Sequence, residues 1–460
     1  MGSTPDRLPG RPAGLGATAA ALRAEHVTMV ALSFVDNAGI TRVKSVPVHR
    51  LDRATRYGVG ASPCFDAYCF DDWMVVGRYL GGPDGDLRLV PDLDRLVPLA
   101  CQPGWAMAPA DKFTQEGPPF VACQRAFART QAARAAQAGL GLSTAFENEW
   151  VVGAAGTDDF VPAVHGPAYG LIRLGQVADY AAELVDVLAR QGVTVEQFHP
   201  EYATGQLELS VAARDPVRTA DELVLIRHTI RTLSEAHGWR ASFAPTVTPG
   251  GVGSGCHLHL SVHDGHGNLF GGGDGPHWMR EAGQAFLAGV LRELPALVAI
   301  GAGNPASFLR LEPSHWAGVW QCWGHETREA ALRFVTDTTG AGTAAANVEV
   351  KCFDATANPY LVVGAVIAAG LAGIDEELTL PPEITGDPAT WTEERRRELG
   401  VRRLPTSAAD AAEALAGSAV LKGAMGEVLH DAVVTVRRAE AERFADTSPD
   451  ELASLTRWRF

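Results

Sequence analysis

Glu147 and Glu149 in the stretch FENEW are two residues apart, which puts both side chains on one face of an extended strand. Alone, such a pair reads as a solvated strand face. Here the pattern recurs. Glu201 and Glu208 flank the Thr204-Gly205 turn and can meet on one side of a hairpin. His257 and His259 share a face in CHLHLS, and Glu349 interrupts the apolar stretch NVEVKCF, where a charge is costly unless paired or metal-bound. Crowded carboxylates raise one another's pKa, and divalent cations are the natural compensation. A set dominated by oxygen with one imidazole favours Mg²⁺ or Mn²⁺ over zinc. Five or six ligands suggest two ions, and two hard cations usually accompany phosphate chemistry.

The cationic side chains fit that chemistry. Arg310 in SFLRLEP, and Arg328 and Arg333 in HETREAALRF, fall between the histidine strand and Glu349. Each alone reads as a surface arginine. Beside a metal–carboxylate site, guanidinium groups suit carboxylate and phosphate oxygens through paired hydrogen bonds. The common nucleotide motifs are missing: GGVGSGC lacks the Gly-Lys-Ser/Thr ending of a P-loop and leads into a strand, not a helix.

These residues need strands to hold them. VTMVALSFVD and ITRVKSVPV read as a hairpin across Asn37-Ala38-Gly39. Residues 1–24 are rich in Pro, Gly and Ala and are expected to form a disordered tail. Residues 25–108 are expected to form a small strand-based domain with a functional loop from Gly58 to Asp72, and residues 109–460 a larger domain. Helices are expected over Gln124–Ala138, from Val177 to Gly192, and over Asp215–His237, His277–Leu297, Pro359–Ala372 and Ser407–Phe444. Strands are expected at TAFENEWVV, on both sides of Thr204-Gly205, at WRASFAPTV, CHLHLSVHDGHGNLF and NVEVKCF. Consecutive strands argue for an α+β fold, an antiparallel sheet with helices packed on one side.

Composition narrows the function. With 39 Lys+Arg against 54 Asp+Glu the chain carries a formal charge of −15, which disfavours nucleic acid and anionic membranes as partners. No stretch approaches 18 uninterrupted apolar residues, so no transmembrane helix is expected, and no signal peptide is read at the N-terminus. The seven cysteines are scattered singly and without Cys-x-x-Cys spacing, which suits a cytoplasmic protein.

The stretches FENEW, HPEYATGQLELS, GSGCHLHLS with GNLF, the Arg310 region, WGHETREAALRF and NVEVKCFDATANPYL occur in an order that resembles the glutamine synthetase family, from about Val27 to the C-terminus. The resemblance implies an N-terminal β-grasp domain, a catalytic domain on a curved antiparallel sheet, and a homo-oligomeric double hexameric ring with sites shared between subunits. It implies one Mg²⁺ or Mn²⁺ on Glu149, Glu201 and Glu208, and a second on Glu147, His257 and Glu349. His259, Ser261 and Arg333 would face ATP, and Arg328 and Arg333 the transferring phosphoryl group. Arg310, Lys351 and the Gly253 backbone would hold the acid substrate.

Departures from the family cluster around the amine. The ammonium-binding Asp-Gly-Ser-Ser loop is replaced by GASPCFDAY, with Ser62 nearest the usual Asp and Asp66 as a substitute. Trp316 stands at or near the flap glutamate. Both changes remove negative charge where ammonium would bind, and a tryptophan favours an organic amine. Val252 and Lys351 replace an Asn and an Arg on the acid side. The reading is an ATP-dependent ligase joining the γ-carboxylate of glutamate to an organic amine through γ-glutamyl phosphate. The alternatives are glutamine synthesis from ammonia, ligation onto another carboxylic acid, and a silent ring-forming homologue.

Overall fold

The computed structural model describes residues 15–336 and 344–460. The small sheet runs in the order Thr41–Pro47, Met29–Val35, Trp105–Thr114, Leu87–Pro91, Val59–Ala61. The hairpin across residues 36–40 is as expected, but Met29–Val35 also pairs in parallel with Trp105–Thr114. The boundary expected at residue 108 falls inside that long strand, so the small sheet runs on to Thr114. Of the tail expected over 1–24, residues 1–14 lie outside the described residues, and Leu15–Ala24 is a helix. Its Ala- and Leu-rich sequence favours helix. Ala19 and Leu22 are buried with Val27, Val30, Leu32 and Leu51 in the small domain's own core.

The large sheet runs in the order Arg402–Arg403, Trp320–His325, Ala330–Val335, Asn347–Val350, Cys256–Asp264, Gly141–Ala154, Gln206–Val211, Val195–Pro200. It is antiparallel except where Trp320–His325 lies parallel to Ala330–Val335. Sequence order argues against that pairing, because parallel strands ordinarily need a long crossover and only residues 326–329 join these two. The expected WRASFAPTV strand is shorter, Trp239–Ser242.

Helices cover the sheet. Pro216–Ala236 starts as expected, with Asp215 capping Arg218 N and Pro216 in the first turn. The helix expected from His277 begins at Glu281, and His277 belongs to a separate turn, Pro276–Trp278. Glu281–Gly301 is 21 residues long and apolar enough to cross a membrane by length and composition, yet 78% of its apolar window is buried inside the protein. It packs on Pro359–Asp375, itself almost wholly buried, as core helices do. The C-terminal helical stretch is broken: Ala408–Gly417 is one helix, and Ala419–Arg443, which Ser418 caps, is itself interrupted by a kink at Gly426, where φ is 73.

Candidate active site

Strand register brings the acidic and imidazole side chains together. His199 stands opposite Glu208, and Glu208 opposite Glu149. Glu147 stands opposite His257, and His259 opposite Glu349, which is opposite Arg333. Paired residues, and residues two apart on one strand, share a face, so six strands present these groups to one surface.

Above that surface lie two cavities that meet at Glu147. One, of about 570 Å³, is lined by Glu147, Glu149, Glu201, Glu208 and His257 together with Gly253, Arg310, Trp316, Arg328, Arg333 and Lys351. The other, of about 440 Å³, is lined by His259, Ser261, Asn347 and small apolar residues. Of the expected site residues, only Ser62 and Glu349 line neither. Glu349 is buried just beneath, with Lys351 Nζ at 2.9 Å and Arg333 Nη1 at 3.0 Å. Ser62 caps a turn of the small domain, its hydroxyl accepting from Cys64 N. Asp66 does not substitute for it. That carboxylate is buried in an ion pair with Lys112, which also donates to Gln124. A short acidic loop segment did not reveal an inward-facing partner 46 residues away.

Imidazoles sit between the carboxylates. His257 Nδ1 lies 2.8 Å from Glu147 and 3.0 Å from Glu349, and its Nε2 lies 3.0 Å from Arg310 Nη2. Arg310 can only donate, so in the neutral ring His257 Nε2 accepts and Nδ1 carries the proton toward the carboxylates. His199 Nε2 is 3.1 Å from Glu208. Glu149 Oε2 accepts from Gln206 Nε2 and Gly255 N.

The charges are strongly coupled. Burial, with Glu147 and Glu149 nearby, pushes Glu208 up to about 7 despite His199. Burial also raises Glu149. His199 is raised to about 9, chiefly by its hydrogen bond to Glu208. His257 is raised to about 9: burial and Lys351 oppose its charge, but Glu147 and Glu349 outweigh them. Against burial, His257 and His259 hold Glu147 below the usual carboxylate range, and Lys351 and His257 do the same for Glu349.

Three groups each bring their ligand atoms within 4.8 Å of one another: Glu147, Glu149 and His257, and Glu147, His259 and Glu349, which share Glu147; and, separately, His199, Glu201 and Glu208. The expected ligands all participate, but the grouping differs because histidines stand between the acids. Oxygen-rich groups of this kind fit Mg²⁺ or Mn²⁺. Two buried atoms at the surface, Arg310 Nη1 and His259 Nε2, have no hydrogen-bond partner among the described residues.

Sequence reasoning missed His199, although it stands two residues before Glu201 and so shares its face. It also missed Gln206, Tyr169 and Tyr202. Tyr169 Oη donates to Glu201 Oε1 at 2.9 Å. The Tyr202 and Trp316 rings lie 5.3 Å apart at 56°, both partly exposed at the mouth of the larger cavity.

Comparison with known proteins places this geometry. Residues 121–454 match the glutamine synthetase catalytic domain, and residues 12–116 the glutamine synthetase N-terminal domain. The chain is 51% identical to Gamma-glutamylpolyamine synthetase GlnA3 of Streptomyces coelicolor, over 99% of this chain and 98% of that one. It is 28% identical to the glutamine synthetase of Halobacterium salinarum, over 95% and 93%. A solved structure described as a novel glutamine synthase homolog superposes with a TM-score of 0.83 at 31% identity, over 93% of this chain and 97% of that one. The ADP complex of GmaS superposes at 0.81 and 26% identity, over 94% and 96%. Matched in both domains and along nearly its whole length, the chain belongs to the glutamine synthetase family and is a carboxylate–amine ligase.

Proposed function

We propose that the chain joins the γ-carboxylate of glutamate to a polyamine in an ATP-dependent reaction that passes through γ-glutamyl phosphate. The observation that carries the choice of amine is the Tyr202–Trp316 pair at the cavity mouth, beside Glu201. A polyamine alternates methylene runs with cationic nitrogens. Aromatic faces attract both, and Glu201 supplies the countercharge. A named polyamine synthetase at 51% identity supports the same choice.

A carboxylate is a poor electrophile, so it is activated by phosphorylation, and the amine nitrogen then displaces phosphate at the acyl carbon. The side chains carry this out by position and charge. Arg310 and the Gly253 backbone hold the acid, with Lys351 at the same cavity. Arg328 and Arg333 face the γ-phosphoryl oxygens, and Glu349 fixes Arg333 and Lys351 from beneath. His259, Ser261 and Arg333 bound the nucleotide. Glu149, Glu201 and Glu208 would hold one divalent cation, and Glu147, His257 and Glu349 the other, with His199 and His259 flanking. Bound Mg²⁺ or Mn²⁺ supplies positive charge to the phosphate oxygens. Ser62 reaches an active site only from a neighbouring copy, as a double hexameric ring would allow.

Phosphate release from ATP, Mg²⁺ and glutamate tests the reading across putrescine, spermidine, spermine, ethanolamine, methylamine and ammonium. A polyamine should give the highest kcat/KM. Preference for ammonium would overturn the proposal, as would turnover only with an acid other than glutamate.

A further inference from the structure

We propose that His277, His325 and Glu383 form a zinc site on the face of the large sheet opposite the catalytic cavity. On the Ala330–Val335 strand, Arg333 points to the cavity, so Phe334 points the other way into the core, where it is fully buried. His325 is in register with Phe334 and shares its face.

Three segments distant in sequence meet there. His277 Nε2 lies 2.7 Å from Glu383 Oε2, and the other oxygen of Glu383 accepts from His325 N at 3.0 Å. The two imidazoles stack with centroids 4.1 Å apart. One ligand atom from each of the three residues lies within 4.8 Å of the others. Tetrahedral zinc with bonds of 2.0–2.1 Å needs ligand atoms about 3.3 Å apart, so the stacked rings must turn for their in-plane lone pairs to meet at one ion. Two imidazoles and one carboxylate make a zinc ligand set with a fourth position for water. The catalytic surface is oxygen-rich by contrast, so the two sites select different metals.

The surroundings are built to orient the ligands. His325 Nε2 is occupied by Thr336 Oγ1 at 2.9 Å, which leaves Nδ1 for an ion. Trp323 and Phe334 wall the His277 ring. His277 itself is held at φ 51, in the left-handed region that an ordinary residue occupies at a cost. The His277 and Glu383 side chains keep about a quarter of their surface exposed (24% and 27%), so an ion has a path in. An ion there would pin the end of the Trp320–His325 strand beside Glu326, the carboxylate that accepts from Arg333 Nη2.

Cobalt substitution tests the site, because four-coordinate Co²⁺ with imidazole ligands absorbs visible light far more strongly than six-coordinate, oxygen-bound Co²⁺. The full chain, stripped with chelator and titrated with Co²⁺, should gain one intense visible band, and added zinc should displace the ion and raise Tm. Glu149→Ala should keep both effects. His325→Ala and the near-isosteric Glu383→Gln should lose both while keeping the far-UV circular dichroism of the parent. No intense band in the parent would overturn the proposal. So would an unchanged band in Glu383→Gln, or its loss in Glu149→Ala.

Discussion

Trp316 is held at φ 55 and Ser314, two residues before it, at φ 59, so this turn carries backbone strain at the cavity mouth. Glu329 braces it by accepting from Trp316 N at 2.9 Å. A strained, braced and 43% exposed tryptophan against Tyr202 is what amine recognition would select and packing alone would not. Trp316→Ala and Tyr202→Ala should each raise KM for the best polyamine about tenfold, the equivalent of about 1.4 kcal/mol and within reach of one cation–π contact. KM for ammonium should change little. Equal losses on both amines, measured in the same steady-state assay, would show that the pair supports the fold and not the substrate. Trp316 was legible in the sequence as a departure at the flap. Tyr202 was not, because nothing local distinguishes a tyrosine after a ligand glutamate from an ordinary strand-end residue.

At the scale of elements, spacing of two within a strand was enough to group Glu147 with Glu149 and His257 with His259. The partners across strands were not legible. Opposing Glu349 to His259 requires a register between segments about 90 residues apart, and opposing it to Arg333 one between segments 16 apart, and periodicity carries no such information. The Trp320–His325 strand was missed for a related reason: WQCWGH does not alternate, and its pairing is parallel. The loop into the Cys256–Asp264 strand makes its own demand. A Cβ at Gly255 would lie 2.3 Å from His257 Nε2 and 2.8 Å from Arg310 Nη2, while Gly255 N donates to Glu149. Gly255→Ala should therefore push apart the His257–Arg310 contact that faces the acid. A shift approaching 1 Å there can cost about 10²-fold in rate. The expected outcome is a folded protein, with Tm within a few degrees of the parent and kcat/KM for glutamate reduced by about that factor. Near-parental kinetics would mean that Arg310 is not where the acid binds.

At the scale of the whole molecule, the hairpin turn at residues 36–40 docks the small domain onto the large one. Asn358 Nδ2 donates to the carbonyls of Val35 and Asp36, and Arg437 Nη2 to that of Asn37. Gly39, at φ 87, lies so close to the Thr356 carbonyl that no side chain fits. The hairpin itself was legible from Asn37-Ala38-Gly39, but its partners, more than 300 residues away, were not. Asp36 is sealed inside this joint, accepting from Ile40 N and Arg42 Nε. Burial pushes its pKa up to about 7 against the pull of Arg42. The folded state therefore holds a proton that the unfolded chain, near the ordinary value of about 4, has released. Asp36's contribution to stability must fall as pH rises from about 4 to about 7 and stay level above that. Asp36→Asn keeps an acceptor for Ile40 N but cannot ionise. At pH 5 it should resemble the protonated parent, apart from a pH-independent offset for the altered Arg42 contact. At pH 8 it should be more stable relative to the parent than at pH 5. Scanning calorimetry of both proteins at the two pH values measures this difference, and a Tm gap that does not move between them would show that Asp36 is ionised throughout and held by Arg42 at a normal pKa.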